Sequence, residues 1–270
     1  MPDHAYIPPG EGSLVPHVGT YRRVLPANLE RMFENALDWE HLPYLHDSSF
    51  ASIRCLRSGA WGWHAVVGNH DGSESELELR LDRRSRRWVT RNIAGPNAGA
   101  EIWTYVVELD RERIEIFVDF FVPGVPEEAR EKVGRAYAKA YEVLYDEDVR
   151  MMTGRQDALD RRIEGLDRQV QELDLGAASD LKLPMQASFA GREVIVARAE
   201  GQIVVYPARC PHMLAPLADV PLEGSRLRCP WHGYAFDVIA RECVSGQTCR
   251  FDVGIEAMEL DGRVVVKRRG

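Results

Sequence analysis

Cysteine is scarce in this sequence. Five in 270 residues are too few to staple a chain of this length through a disulfide framework. Long apolar runs are missing as well: none reaches the ~18 residues of a membrane-crossing helix. The opening MPDHAYIPPGEG lacks the charged and apolar regions of a signal peptide. A cytoplasmic location with no membrane contact is the resulting expectation. Positive charge is in deficit, since 34 Lys and Arg stand against 42 Asp and Glu for a net charge of −8. That balance argues against nucleic acid or an anionic membrane as partner. A phosphate-cradling Gly-rich loop is also absent, so a nucleotide cofactor would have to act through another protein. What is present is a globular composition, 45% hydrophobic, long enough for one large or two ordinary domains.

The richest stretch runs from Cys210 to Asp237, CPHMLAPLADVPLEGSRLRCPWHGYAFD. It offers Cys210 and His212 as Cys-x-His, then Cys229 and His232 as Cys-x-x-His, with 16 residues between His212 and Cys229. Two thiolates can hold one iron of a [2Fe–2S] cluster while two imidazoles hold the other. A Cys2His2 set also suits structural zinc, but zinc sites usually pair Cys with Cys and His with His, and each loop here mixes them. The stretch closely resembles the Rieske family. CPH, the following Ala-Pro-Leu, and CPWHG with an aromatic residue and an Asp beyond it all stand where that family has them. High-potential Rieske centres carry a disulfide between the ligand loops and a Ser after the second-loop Gly. Here those positions are Ala215, Trp231 and Tyr234, so fewer donors face the sulfurs and a low potential is expected. Cys55, Cys243 and Cys249 are left over and read as free thiols. A Cys243–Cys249 disulfide across the intervening turn is the less favoured alternative.

Upstream, residues 1–20 are rich in Pro and Gly and read as an extended arm, with His4 and His17 as solvated side chains. Residues 27–42 read as a helix opened by Pro26 and stopped by Pro43. In that reading Asp38 and His41 share a helix face, and His46 lies past the proline. From 50 to 122 period-two alternation, as in Leu77, Leu79 and Leu81, predicts about six antiparallel strands. Trp61/Trp63 and Trp103/Tyr105 form same-face pairs, either in the core or on a pocket wall. His64 and His70 read as structural. Residues 126–173 read as a long helical region that Gly134, Gly154 and Gly165 would bend or break. Within Asp146-Glu147-Asp148, Asp148 falls on the apolar stripe of Leu144 and Met152, whereas Asp146 shares a face with Glu142 and Arg150. A buried carboxylate needs a partner, and a metal ion would supply one.

Two imidazoles and a carboxylate leave open positions on non-haem Fe(II). The string Asn35-x-x-Asp38-x-x-His41-x4-His46 resembles the iron-site motif of Rieske non-haem iron oxygenases, of the ring-hydroxylating alpha-subunit type. Glu147-Asp148…Gln156 resembles that family's acidic motif. The resemblance implies that His41, His46 and Asp148 bind a mononuclear iron. It implies that Asp38 links His41 to the cluster histidine of a neighbouring subunit, with Asn35 close by. It also implies an α+β fold: a helix-grip (START-like) antiparallel sheet with a long C-terminal helix, followed by a small all-β Rieske domain. The order of the two domains is the reverse of that usual in the family. The resulting division is an arm at 1–20, a helix-grip domain at 21–175, a linker at 176–184 and a Rieske domain at 185–270. Strands are expected at 192–197, 202–206, 255–259 and 263–267, the last two joined at Asp261-Gly262.

The implied activity is that of a terminal oxygenase component, a mono- or dioxygenase or oxidative demethylase. It would use O2 and electrons drawn from NAD(P)H through a separate flavin/iron–sulfur reductase or ferredoxin. Its substrate would be apolar, aromatic or alicyclic. Since the family works as rings, a homotrimer is implied. The alternative is a Rieske electron-transfer or sensing protein whose helix-grip domain binds a ligand and holds no catalytic iron. A zinc-stabilised binding protein is a third reading.

Overall fold

The computed structural model of the protein describes residues 13–161, 167 and 169–269. His4, the rest of residues 1–12, and Gly165 lie outside them. The chain divides into two compact units, Met1–Thr153 and Gly154–Gly270.

The first unit opens on β1 (His17–Leu25), then α1 (Leu29–Leu37) and the one-turn α2 (Leu42–Leu45). Six strands follow: β2 (Ser52–Gly59), β3 (Gly62–Gly68), β4 (Glu74–Asp82), β5 (Arg87–Ala94), β6 (Glu101–Glu108) and β7 (Ile114–Phe121). Helix α3 (Glu127–Asp160) comes last. The sheet is antiparallel in the order β1-β7-β6-β5-β4-β3-β2. Ile114, Ile116, Val118 and Phe120 of β7 alternate onto the inner face and are fully buried. Each contributes roughly 1.5–3 kcal/mol of burial. Helix α3 lies on that face, with Phe120 against Tyr137 and Tyr141 at ring-centroid distances of 5.2 and 5.1 Å. A sheet held along one long helix is the helix-grip arrangement.

Three expectations are corrected here. Residues 17–20 are not an arm, because they open β1, which pairs with β7 along its length. Residues 27–42 are not one helix. Asn28 caps α1 by accepting from the Arg31 amide at 2.9 Å. The helix then stops at Asp38, whose backbone (φ −84°, ψ 84°) is non-helical. Pro43 does not end that helix; it sits in the first turn of α2, where a missing N–H costs nothing. Gly134 and Gly154 lie inside one continuous α3. At Gly134 the helix meets β1 so closely that an added Cβ would lie 2.2 Å from the Val18 carbonyl oxygen.

Beyond the end of α3, which runs into it, the second unit is built of β-strands. Its strands are β8 (Glu172–Ala177), β9 (Met185–Phe189), β10 (Arg192–Ala199), β11 (Gln202–Pro207), β12 (Arg226–Arg228), β13 (Ala235–Asp237), β14 (Glu242–Cys243), β15 (Ile255–Leu260) and β16 (Arg263–Arg268). They form three three-stranded sheets, β11-β10-β9, β12-β13-β14 and β15-β16-β8. The pairing of β8 with β16 places 172–177 in this unit, across the expected boundary at 175 and linker at 176–184. Asp261 and Gly262 both have positive φ, 47° and 73°, as a two-residue hairpin turn requires. The five cysteines are unbridged.

Candidate functional site

The first site grows from the break after α1. His41 and His46 stand at the two ends of α2, which sets their rings edge to face with centroids 5.0 Å apart. Asp148 comes in from α3. His41, His46, Asp148 and Asn35 are all at least nine-tenths buried. Asp148 Oδ1 lies 3.1 Å from His46 Nε2 and 3.6 Å from His41 Nε2, and it accepts from Asn35 Nδ2 at 2.8 Å. Asp38 Oδ2 is 3.5 Å from His41 Nδ1. That approach follows from the non-helical turn, since Asp38 and His41 share no helix face. Asp146 is half-exposed and pairs with Arg23 at 2.6 Å, apart from the histidines. Gln156, matched by the resemblance, donates to Asp160 and is not at the site.

Glu147, named in the sequence only as part of the acidic motif and with no role, has its Oε2 2.7 Å from His46 Nδ1. The signal was present in the acidic run, whose neighbouring members point to different partners. Burial pulls the His46 pKa down, but hydrogen bonds to Asp148 and Glu147 outweigh it and the net shift is upward. Carboxylates stand at both of its ring nitrogens, Glu147 at Nδ1 and Asp148 at Nε2, so the ring is held in one orientation.

The residues fit a divalent metal. One donor atom each from His41, His46 and Asp148 lies within 4.8 Å of the others, and all three residues are buried. Two imidazoles and one carboxylate on one side of an ion form the facial triad of non-haem Fe(II) sites. The site opens on a cavity of about 480 Å³ between sheet and helix, walled by Trp63, Trp88, Tyr137 and Tyr141. Trp61 does not share this wall with Trp63: it sits in the β2–β3 turn, where Arg57 and Arg80 stack on it. Trp103 and Tyr105 pack in a separate cluster with Val89 and Phe121. His64 and His70 are tied down by Glu76 and by the Asp47 carbonyl.

The second site lies between two loops of the same construction. The Cys210 amide donates to the Ala215 carbonyl and the Cys229 amide to the Tyr234 carbonyl, both at 2.8 Å. Leu214 and Gly233, four places after each cysteine, donate back to its carbonyl at 3.0 and 2.9 Å. Both residues are left-handed, with φ 65° and 66°. Arg209 and Arg228 each donate to the carbonyl of that left-handed residue. The repeated Arg-Cys-Pro is the sequence trace of this duplication. The loops bring the His212 and His232 rings to 4.5 Å and the two buried thiols into contact. Donation from Cys210 pushes the Cys229 thiol down, and the same contact with burial pushes Cys210 up. The Nδ1 atoms of His212 and His232 are buried and make no hydrogen bond. Two soft thiols facing two imidazoles suit a mixed-ligand iron–sulfur cluster.

Residues 170–250 match the family model of the Rieske [2Fe-2S] domain. The chain carries a Rieske [2Fe–2S] domain. That domain implies a [2Fe–2S] cluster, and Cys210, His212, Cys229 and His232 would hold it. No curated protein matches the chain. Among solved structures, a chain from the complex of reduced oxygenase and oxidized ferredoxin in carbazole 1,9a-dioxygenase is 29% identical. The match covers 36% of this chain and 92% of that one at a TM-score of 0.32. The ferredoxin of carbazole 1,9a-dioxygenase from Nocardioides aromaticivorans IC177 is 19% identical, covering 36% and 98% at 0.33. The Zhui aromatase/cyclase from a Streptomyces species is 13% identical, covering 54% and 98% at 0.44. Among the described residues no helix is long and apolar enough to cross a membrane.

Proposed function

We propose that the protein is the terminal oxygenase component of a Rieske non-haem iron system, with His41, His46 and Asp148 as the ligands of a mononuclear iron. The observation that carries this reading is the buried His41–His46–Asp148 group at the wall of an aromatic cavity, in a chain that also carries a Rieske domain. When bound, the cluster stores and passes one electron at a time and the ferrous ion binds and activates O2. The protein's own residues do the rest. Glu147 and Asn35 orient His46 and Asp148, and the tyrosine and tryptophan wall excludes water and positions an apolar substrate. Asp38 ties His41 to a cluster histidine of a neighbouring subunit in a homo-oligomer, a trimer by the family's pattern. Electrons come from NAD(P)H through a separate flavin/iron–sulfur reductase or ferredoxin. Hydroxylation, oxidative demethylation and cis-dihydroxylation are all within reach of such a site.

A second reading, a Rieske electron-transfer or sensing protein, is favoured by one feature. Asp148 is already hydrogen-bonded to Asn35 and His46, and His46 in turn to Glu147, a chain of contacts made without an ion. Iron and acid-labile sulfide are measured on anaerobically purified protein loaded with Fe(II), with EPR after dithionite reduction and after nitric oxide. A Rieske signal with iron in excess of sulfide and a ferrous-nitrosyl signal supports the oxygenase. Iron equal to sulfide with no nitrosyl signal supports the carrier or sensor.

A further inference from the structure

The aromatic cavity has a polar end built by two turns. One, Asn69–Ser73, joins β3 to β4; the other follows β5 and runs to Ala100. Gly95 lets them meet. Its φ is +94°, and a Cβ there would lie 2.2 Å from the Glu74 carbonyl oxygen and 2.9 Å from Ser75 Cα. Asn69 Nδ2 donates to Ser73 Oγ at 2.9 Å and to Ser75 Oγ at 3.4 Å. Asn92 Nδ2 donates to the Pro96 carbonyl at 2.6 Å, while Asn92 Oδ1 is buried with no hydrogen-bond partner. The exposed carboxylate of Asp71 stands at the rim, and Asn69, Ser73, Ser75 and Asn92 line the cavity with it. Among its described lining residues there is no Lys or Arg, and its acids are Asp38, Asp71 and Asp148.

We infer that the cavity takes a neutral or cationic aromatic or alicyclic molecule bearing a hydrogen-bond donor, such as an alcohol, phenol or ammonium group, and rejects carboxylates and sulfonates. This deepens the proposed function and rests on its reading of the cavity as the substrate site. An anion drawn in here sheds its hydration, meets no Lys or Arg, and faces acids of its own sign, while the His46 imidazole in the lining is already engaged by Asp148 and Glu147. A donor group instead meets Asn92 Oδ1, an acceptor whose burial is otherwise uncompensated. The Tyr137 and Tyr141 hydroxyls are held protonated by burial and add no charge to the wall.

The test uses the full chain as isolated, without added iron, and four probes on one ring system: 2-methylnaphthalene, 2-naphthalenemethanol, 2-naphthalenemethylammonium and 2-naphthoate. Calorimetric titration gives each affinity. The alcohol and the ammonium are expected to bind about tenfold more tightly than the carboxylate. Asn92→Leu is expected to weaken alcohol and ammonium binding by about tenfold and to leave the hydrocarbon unchanged. Carboxylate binding as tight as that of the alcohol, or no binding of any probe at millimolar concentration, overturns the inference. If the charge order holds but the iron-loaded protein with a reductase oxidises nothing, the oxygenase reading falls and the inference about the cavity stands.

Discussion

Asn35 Nδ2 donates to Asp148 Oδ1 across 2.8 Å, joining the end of α1 to the middle of α3 over 113 residues of sequence. The same oxygen faces His46 Nε2 at 3.1 Å and His41 Nε2 at 3.6 Å. One carboxylate oxygen thus hydrogen-bonds to Asn35 and His46 and stands beside His41, all three supplied by the stretch from 35 to 46. Asn35 thereby orients Asp148, and His41, His46 and Asp148 would hold a metal in the proposed function.

Asp148 and Asp146 make a controlled pair. Asp148→Ala is expected to remove the nitrosyl-reporting iron and bring the iron content down to that of sulfide, with the cluster signal unchanged. It also strands the buried Asn35 and His46 donors, at a cost of roughly 1–3 kcal/mol in unfolding free energy. Asp146→Asn loses only a half-exposed pair with Arg23 and should change stability by less than about 1 kcal/mol. Equal iron loss in both variants would remove Asp148 from the ligand set.

If His46 binds iron as proposed, Glu147 would act on that site through His46 without touching the metal. Its carboxylate lies 2.7 Å from Nδ1, which fixes the ring and makes Nε2 a better donor. Glu147→Gln keeps a hydrogen-bond acceptor but loses the charge. Fe(II) affinity, measured by competition with a chelator, should fall by about 10–100-fold, while the Rieske signal keeps its intensity. Unchanged affinity would make Glu147 a bystander.

The cluster loops were legible in the sequence because their ligands lie within one short stretch and their spacing is tied to one chemistry. The strands of the sheet were legible through alternation, as at Leu77 and Leu79, and the Asp261-Gly262 turn through residue types that tolerate the positive φ it adopts. What was not legible depends on distant partners. β1 looks like a Pro- and Gly-flanked tail until β7 pairs with it, as in the Thr20–Asp119 hydrogen bond across 99 positions. The break at Asp38 is likewise hidden, since Leu29 to His41 keeps an apolar spacing that one helix would also explain. Glu147 sits in an acidic run that does not say which member meets a histidine, and Asn92 carries no local pattern. Their roles come from what the fold sets opposite them.

Gly134 and Gly154 share a helix and separate two effects. An added methyl at either site gains about 1 kcal/mol of helix propensity. At Gly154 the nearest atom to such a Cβ is at 3.7 Å, so Gly154→Ala should raise the unfolding free energy by nearly that amount. At Gly134 the Cβ would meet the Val18 carbonyl oxygen at 2.2 Å, and backbone cannot rotate away. Overpacking of roughly 1–3 kcal/mol exceeds the gain, so Gly134→Ala should lower the denaturant midpoint.

Asp237 supplies a pH dependence away from both candidate metal sites. Its carboxylate accepts from the amides of Ala240 at 2.8 Å and Ile239 at 2.9 Å, and from Ser225 Oγ at 2.8 Å. The Ala240 amide is the largest cause holding its pKa below the usual carboxylate value, against the opposing effect of burial. A depressed folded pKa means that the stabilisation is whole above the unfolded pKa of about 3.9. It is lost as pH falls through the folded value. Asp237→Asn should therefore lower the denaturant midpoint at neutral pH, and the gap to the parent should close in acid. A gap that persists below both pKa values would mean that packing, not charge, is what the substitution removes.

Asp38 is where the two centres would communicate. Its Oδ2 stands 3.5 Å from His41 Nδ1, a ring nitrogen that is buried with no hydrogen-bond partner. It reaches the ring from a turn outside the helix, which leaves its carboxylate on the same side as the imidazole edge that does not face Asp148. A residue that only stabilised the fold would, when removed, lower iron content and activity together. A residue that carries the connection between centres separates them. Asp38→Ala should keep iron, sulfide, the Rieske signal and the nitrosyl signal, yet lose about 10–100-fold of reductase-driven, substrate-coupled oxygen uptake. Asp38→Asn, which keeps shape and a carbonyl acceptor, should recover part of that loss. Normal uptake in Asp38→Ala would show that electrons reach the site by another route, and loss of iron in step with uptake would reduce Asp38 to a support for His41.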